Sequence, residues 1–359
     1  LEGCTRLLRS SRTMADRLEA ARKEVLELKG KIQANRKAKK DSTLKDVKGD
    51  IPPLNPKPSL KVRRHLKGHI GKIYAMHWCP DAETIVSAAQ DGNMLVWDAV
   101  TTNKLFAIPL SSAWVMTCAY SPSGNYVAAG GLNNVCTVYS LRSKEQPIKP
   151  TRELSAHTGY LSCCRFINDQ EIVTSSGDKT LLLWDIEAGV KQAEFADHDG
   201  DVMSVALSPT AKANVFVSGA CDNTAKVWDR RTRSDKAQQT FTGHENDINS
   251  VEFFPSGNAF ATGSDDTNCK LYDLRAYCQL MNYSSNNQES GVTSVAFSGS
   301  GRYLFSGRDD FCCAMFDTLT GELLDSLKQH DNRVSCIGVG WEGKALCTGS
   351  WDSYLKVWA

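Results

Sequence analysis

The sequence predicts an all-β protein, a seven-bladed β-propeller, with an N-terminal coiled-coil α-helix in front of it. The main observation is a repeat, because an aromatic residue closes an apolar run seven times at spacings of 42 to 45 residues. This period is the length of one four-stranded propeller blade. A second observation is a different period near the start of the chain, where apolar residues recur every three or four positions. The seven aromatic residues are Trp97, Tyr139, Trp184, Trp228, Tyr272, Phe316 and Trp358.

Each repeat also carries a polar residue six positions before its aromatic, and five repeats carry a histidine 21 to 24 positions earlier still. An Asp in a tight turn can accept hydrogen bonds from backbone N–H groups and from that histidine, so we interpret both residues as structural. The polar residues are Asp91, Asn133, Asp178, Asp222, Asp266, Asp310 and Asp352. The histidines are His69, His157, His198, His244 and His330, and the second and sixth repeats lack one. These features resemble the WD repeat.

The first repeat shows how many strands a repeat contains. Short apolar or alternating runs at 73–78, 84–89, 94–98 and 104–110 are separated by Pro-Asp, Asp-Gly and Thr-Thr-Asn turn signals. Four strands per repeat are therefore predicted. Because the last repeat stops at its third-strand aromatic, we expect residues 60–66 to supply the fourth strand of the last blade and to close the ring.

Residues 15–39 predict a helix with one apolar seam. The seam consists of Leu18, Ala21, Val25, Leu28 and Ile32 at the a and d positions of a heptad pattern. Such a helix is marginal alone, and it can pack either on its own propeller or on a second chain. The Pro-rich segment 51–58 favours a second chain, because it separates the helix from the propeller. We thus divide the chain into 1–13, an upstream or non-native extension excluded from the fold, 14–50, the helix and connector, and 51–359, the propeller.

Composition limits the classes of function. Residues 1–67 contain 19 Lys and Arg against 8 Asp and Glu, whereas the rest contains 23 against 33. A basic arm can bind nucleic acid or anionic lipid, but basic residues on an exposed helix usually only face solvent, and we expect no nucleic-acid partner. The thirteen cysteines include no CxxC pair and are interpreted as reduced thiols. No apolar run is long enough to span a bilayer, so a cytosolic location is expected.

Longer segments resemble one family of propellers, the β subunits of heterotrimeric G proteins. The resemblance covers the chain from Met14 onward and is carried by segments that lie largely outside the generic repeat pattern. The segments include GHIGKIYAMHW (68–78), WVMTCAYSPSGNY (114–126), HTGYLSCCRF (157–166), GHENDIN (243–249) and TGSWDSYLKVW (348–358).

The resemblance implies that one face of the propeller binds GDP-bound Gα and, after Gα leaves, downstream effectors, with a receptor acting indirectly. The residues that match this face are Lys72, Tyr74, Lys104, Trp114, Met116, Leu132, Asn134, Tyr160, Asp201, Met203, Cys221, Asp247, Asn249, Asp265 and Trp351. The repeat pattern agrees at several positions. Trp114 and Trp351 lie outside the aromatic slot of the repeat, although Trp114 could instead fill a core position. Exposed Trp, Tyr and Met residues are typical of a binding hot spot.

The resemblance also implies an obligate γ subunit. Its helix would pair with the seam of Leu18, Ala21, Val25, Leu28 and Ile32 and would then contact the propeller near Phe254 and Pro255. The resemblance further implies that the prenylated γ subunit attaches the protein to the inner face of the plasma membrane, which agrees with the absence of a lipidation motif in this sequence. Asn93, Asn133 and Gln329 depart from the family pattern, which leaves individual contacts and the choice of effector open.

The sequence leaves a few alternatives to this interpretation. No GxxxxGK[ST], HExxH or GxSxG motif occurs, so we predict a protein that is not an enzyme and needs no cofactor or metal ion. Some propellers are enzymes, and an activity in the central channel is the catalytic alternative. The non-catalytic alternatives are a ribosome-associated scaffold and a substrate receptor of a ubiquitin ligase. Neither of these needs a helical seam for a γ subunit.

Overall fold

The computed structural model describes residues 19–21, 23–25, 27–28, 30–31, 34, 59–142, 147–210, 214–232, 234–284, 290–340, 343 and 345–359. The chain divides into two compact units, Leu1–Ile51 and Pro52–Ala359. All of the described residues in the first unit are helical. The predicted extension 1–13, the Pro-rich segment 51–58, Leu18 and Ile32 lie outside the described residues. No helix within the described ranges is long and apolar enough to cross a membrane.

The second unit is built from seven four-stranded antiparallel sheets, counted over its described residues. We call each sheet a blade and number the blades in the order of the repeats. Blade 1 contains β2 (Ile73–Trp78), β3 (Thr84–Ala89), β4 (Asn93–Asp98) and β5 (Lys104–Pro109). Blade 2 contains β6 (Val115–Tyr120), β7 (Tyr126–Gly131), β8 (Val135–Ser140) and β9 (Pro150–Ser155). Blade 3 contains β10 (Leu161–Phe166), β11 (Glu171–Ser176), β12 (Leu181–Asp185) and β13 (Val190–Phe195).

The remaining blades repeat this order, and a short 3₁₀ helix, Arg230–Thr232, follows the third strand of blade 4. Blade 4 contains β14 (Val202–Leu207), β15 (Val215–Ala220), β16 (Ala225–Asp229) and β17 (Gln239–Phe241). Blade 5 contains β18 (Ile248–Phe253), β19 (Ala259–Ser264), β20 (Asn268–Asp273) and β21 (Cys278–Ser284). Blade 6 contains β22 (Val292–Phe297), β23 (Tyr303–Arg308), β24 (Cys312–Asp317) and β25 (Leu323–Lys328). Blade 7 contains β26 (Val334–Val339), β27 (Leu346–Ser350), β28 (Tyr354–Trp358) and β1 (Val62–Lys67).

The last blade is completed by a strand from the beginning of the propeller, as the sequence predicted. Strand β1 pairs antiparallel with β28, and Leu66 lies opposite Leu355. Lys61 and Ala359 extend this pairing by exchanging backbone hydrogen bonds of 3.2 and 3.1 Å. The first strand of every blade also contacts the first strand of the next, and β26 contacts β2. The seven-bladed propeller predicted from the repeat is therefore confirmed.

Hydroxyl side chains join the inner strands of neighbouring blades where no backbone ladder connects them. Ser162 donates to the carbonyl of Val202, and Thr293 donates to the carbonyl of Val334. Ser335 of blade 7 donates to the carbonyl of Ile73 in blade 1, which extends the same type of contact across the point of closure. These bonds satisfy carbonyl groups that face a neighbouring blade and would otherwise be unpaired in the interior.

The predicted structural residues of the repeat occupy the predicted places. All seven aromatic residues are at most 2% exposed. In blade 3, the Trp184 indole N–H donates to Thr174 Oγ1 at 2.8 Å. His157 Nε2 lies 2.8 Å from the same hydroxyl, and His157 Nδ1 lies 2.8 Å from Asp178 Oδ2. Because a carboxylate only accepts, these contacts assign the proton of the imidazole to Nδ1. The same contact between histidine and Asp is present in blades 1, 3, 4, 5 and 7, which supports the interpretation of these residues as structural.

The carboxyl groups of these turns are held in their charged form. Burial by itself would raise the pKa of Asp91 and Asp266, but hydrogen bonds from the histidine and from backbone N–H groups outweigh it. The pKa of each of these two residues is lowered to about 2. Removing the carboxylate would therefore leave several donors without an acceptor.

Replacing Asp178 by alanine is expected to lower the free energy of unfolding by roughly 1 to 3 kcal/mol. The His157 imidazole and the backbone N–H groups of Thr158 and Thr180 would lose their acceptor. Denaturant unfolding followed by tryptophan fluorescence measures the change. The control is Glu187→Ala, an exposed acid in the same blade, for which a change below about 0.5 kcal/mol is expected. An Asp178→Ala protein as stable as its parent would contradict the structural role.

Candidate protein-binding site

One end of the propeller collects most of the residues predicted to bind partners. Because the strands of a blade alternate in direction, the turn before each inner strand and the turn after each second strand lie at the same end. We call this end the loop face. Fourteen of the fifteen predicted residues lie there, and all fourteen are exposed or half-buried. They are Lys72, Tyr74, Trp114, Met116, Leu132, Asn134, Tyr160, Asp201, Met203, Cys221, Asp247, Asn249, Asp265 and Trp351.

Lys104 is the exception. It is the first residue of β5, the outermost strand of blade 1, so it lies on the side of the propeller. Its ammonium nitrogen is 3.4 Å from the carbonyl oxygen of Gly68 and 5.6 Å from the centre of the Trp97 ring. Lys104 does lie beside a loop, as predicted. This loop joins the third and fourth strands of the blade, however, so it lies at the end of the propeller opposite the loop face.

The loop face is built by one backbone arrangement that recurs in all seven blades. The residue after the second strand donates its backbone N–H to the carbonyl of the residue before the inner strand, at 2.8 to 3.2 Å. The side chains of these two residues are thereby displayed side by side, and their identity varies freely because only backbone atoms make the bond. The pairs are Lys72 with Gln90, Trp114 with Leu132, Tyr160 with Gly177, Asp201 with Cys221, Asp247 with Asp265, Gly291 with Asp309, and Arg333 with Trp351.

One part of the loop face is aromatic and cationic. The Tyr74 ring lies 5.9 Å from the Trp351 ring and 6.4 Å from the Trp114 ring, measured between centroids. Lys72 Nζ is 4.2 Å from the centre of the Trp351 ring, and the guanidinium carbon of Arg333 is 4.6 Å from it. Trp114 is 45% exposed, so the alternative that it fills a core position is wrong. Within the described residues, the buried indole nitrogen of Trp351 has no hydrogen-bond partner.

Another part of the loop face is acidic. Burial and the nearby carboxylates of Asp247, Asp201 and Asp265 raise the pKa of the Cys221 thiol to about 12. The three acids therefore all lie near this thiol. Tyr160 donates its hydroxyl to Asp201 Oδ2 at 3.1 Å, and burial and this carboxylate both raise its pKa. This part of the face is suited to a partner that presents Lys or Arg.

Two residues that the sequence analysis missed join the two parts. Arg333 Nε lies 2.6 Å from Asp309 Oδ1, and Arg333 also lies against the Trp351 ring. Arg333 immediately precedes an inner strand, and Asp309 immediately follows a second strand. The position within the repeat could have identified both residues. Trp114 occupies the position of Arg333 in its own blade, and Trp351 occupies the position of Asp309.

The residues predicted to contact a γ subunit lie elsewhere. Phe254 and Pro255 are half-buried in the turn between β18 and β19, which lies at the end of the propeller opposite the loop face. The Phe254 ring packs 5.2 Å from the Phe297 ring. In the separate helical unit, Ala21, Val25 and Leu28 are exposed.

The inner strands carry three ionisable side chains at the same register position. His77, Arg165 and Glu252 are the fifth residues of β2, β10 and β18. His77 Nδ1 accepts the backbone N–H of Tyr120, and burial lowers the pKa of His77 to about 3. Glu252 is exposed to solvent, and Arg165 acts to lower its pKa. If the propeller were an enzyme, as the catalytic alternative holds, these three ionisable residues would be the first candidates for catalysis.

Comparison with known proteins identifies close relatives. A family model described as "G protein beta WD-40 repeat protein" matches residues 14–359. The chain is 59% identical over 351 residues to "Guanine nucleotide-binding protein subunit beta" of Dictyostelium discoideum, with 97% of this chain and 100% of that protein covered. It is 55% identical over 341 residues to "Guanine nucleotide-binding protein subunit beta-1" of Caenorhabditis briggsae, with 95% and 99% covered. The G(I)/G(S)/G(T) subunit beta-1 of Homarus americanus is 54% identical over 341 residues, with the same coverage.

Proposed function

The chain belongs to the G protein β WD-40 repeat family, and we propose that it is the β subunit of a heterotrimeric G protein. In this role it would act in receptor-coupled signalling as a scaffold that binds proteins and catalyses no reaction. The observation that carries the proposal is the loop face, where three aromatic rings lie together beside a group of carboxylates. Clustered aromatic residues of this kind are the usual centre of a protein interface.

The proposed partner of the loop face is Gα in its GDP-bound form. Tyr74, Trp114 and Trp351 would provide the apolar contacts, and the acids around Cys221 would pair with basic side chains of Gα. Effectors would use the same surface once Gα has left, because two proteins cannot cover the same aromatic cluster at once. Met116 and Met203 support this second use, since flexible thioether side chains adapt to differently shaped partners.

The second proposed partner is a γ subunit. Val25 and Leu28 are each 49% exposed on the helix, and an exposed apolar seam of this kind gains stability from a facing helix. Phe254 and Pro255 would then contact the γ chain at the end opposite the loop face, so both partners could bind together. We propose that the prenyl group of γ holds the complex at the cytoplasmic side of the plasma membrane.

Co-expression tests this proposal. With a G-protein γ subunit, the chain is expected to give a soluble 1:1 complex in size-exclusion chromatography with light scattering, whereas the chain alone is expected to aggregate. A double variant Val25→Asp and Leu28→Asp should lose the complex, because the seam would carry two charges. The control is Glu24→Gln, an exposed helical residue outside the seam, which should keep it. A stable lone monomer would overturn the proposal and favour a scaffold that needs no γ subunit.

A further inference from the structure

The closing strand β1 differs from every other outer strand in charge. It carries Arg63, Arg64 and Lys67 with no acid, and Lys61 precedes it directly. Each of the other six outer strands, β5, β9, β13, β17, β21 and β25, has a net charge of at most one. The contrast is large because residues 68–359 together carry 23 Lys and Arg against 33 Asp and Glu.

These cations lie on the surface without acidic neighbours. Lys61, Arg63, Arg64 and Lys67 are all exposed, and none of them forms an ion pair within the described part of the chain. Arg63 Nε donates to the carbonyl of Ala359 at 3.1 Å, and Arg64 Nε donates to the carbonyl of Val100 at 2.9 Å. Both guanidinium groups are thus held at the rim of the propeller by oxygen atoms of the backbone.

We propose that the β1 edge is a contact site for the anionic headgroups of a phospholipid membrane. Four cations along a strand of about 20 Å form a continuous charged rim, and each cation near an anionic surface strengthens binding about fivefold. The only large apolar side chain of the strand, Leu66, is 1% exposed, so the strand itself presents charge and no apolar side chain to a partner. Charge spread along a strand in this way matches a lipid surface better than an acidic peptide.

The proposed contact adds to the attachment proposed for the γ subunit and does not depend on it. A single lipid chain holds a protein to a membrane only weakly, and a basic patch is one way to supply the second contact that stable binding needs. The basic N-terminal arm can also attract anionic lipid, so the test must change β1 alone. If the γ assignment failed, the same variants could be measured in whatever soluble form the chain takes.

Sedimentation with vesicles tests the site, using the full chain with a γ subunit whose prenylated cysteine is replaced by serine. The variant is Arg63→Gln with Arg64→Gln. Its partition onto vesicles of 70% phosphatidylcholine and 30% phosphatidylserine should fall roughly twenty-fivefold at 0.1 M salt. The difference between variant and parent should shrink at 0.5 M salt, because salt screens surface charge.

A matched control removes two cations from other outer strands. Arg152 in β9 has the same geometry as Arg64, since its Nε donates to the carbonyl of Glu187 at 3.2 Å, and Lys328 ends β25. The variant Arg152→Gln with Lys328→Gln should bind vesicles within about threefold of the parent. The proposal would be wrong if both variants lost vesicle binding to the same extent. It would also be wrong if neither variant changed vesicle binding. If the chain bound a polyglutamate peptide through Arg63 and Arg64 but did not bind the vesicles, the partner of this edge would be an acidic protein and not a lipid.

Discussion

Replacing Trp351 by alanine is expected to weaken binding of GDP-bound Gα by at least about 2 kcal/mol, roughly thirtyfold in Kd. The ring lies at the centre of the aromatic part of the loop face, between Lys72 and Arg333 and beside Tyr74. Its indole nitrogen is buried and has no hydrogen-bond partner within the described residues, so the expected loss comes from the ring and not from this N–H group. Truncation would remove the contacts of the ring.

The measurement is the affinity of the purified complex for immobilised GDP-bound Gα. Trp351→Phe keeps a smaller aromatic ring beside the two cations, so an intermediate loss is expected for it. Val190→Ala, an exposed residue of an outer strand, is the control and should bind like the parent. Unchanged binding by Trp351→Ala would contradict the assignment, and a large fall in thermal stability would show that the ring is structural.

Replacing Leu66 by aspartate is expected to lower the free energy of unfolding by at least about 4 kcal/mol. Leu66 is 1% exposed, and it packs in one cluster with Leu355 of blade 7 and Ile73 of blade 1. The substitution would remove apolar contacts and bury a carboxylate between the two blades. The blade that closes the ring would therefore lose its outer strand.

Denaturant unfolding of the complex measures this effect, with limited proteolysis as a second readout. The control is His65→Asp, which introduces the same carboxylate at an exposed neighbouring position of the strand. It is expected to change stability by less than about 1 kcal/mol, because Lys67 and Lys356 lie near His65 and can interact with the new charge. Equal stability of Leu66→Asp and His65→Asp would contradict the role of β1 in closure.

Much of the fold could be predicted because the same pattern of aromatic and polar residues occurs in all seven repeats. The strands of the first repeat were predicted to within one residue at each end, and the closing strand was predicted to within two. The histidine and Asp pairs followed from spacing alone, since a charged turn residue needs a partner wherever it is buried. Repetition made each of these inferences independent of any single residue.

The departures from the repeat could not be predicted in this way. Arg308 ends β23 at a position that holds a small residue in every other blade, for example Ala89 or Ser264. It is nevertheless 1% exposed, and it donates to the backbone carbonyls of Ser290 and Thr267. Spacing predicts a small side chain here. Only the packing shows that this arginine lies in the interior of blade 6, one of the two blades that lack the usual histidine.

The loop face was predictable in part for a related reason. Residue types singled out Trp114 and Trp351, because the repeat has no structural use for a tryptophan at either position. Arg333 and Asp309 were not singled out, because charged residues are common in turns. Whether such a residue contributes to a binding site depends on which side chain of the next blade lies beside it. The ion pair between them became visible only when the two turns of neighbouring blades were placed in space.

The origin of the closing strand has a consequence for the order of folding. Strand β1 is the first strand of the propeller to be synthesised, and its partner β28 is the last. The segment between them spans the whole domain. Bringing its two ends together costs conformational entropy, which is offset only when β1 pairs with β28. Until β28 has been made, β1 has no partner and the first blade has no neighbour on one side. Contacts between such distant residues form slowly, and unpaired strand edges promote aggregation in the meantime. We therefore expect newly made chains to need protection until the two ends of the domain meet.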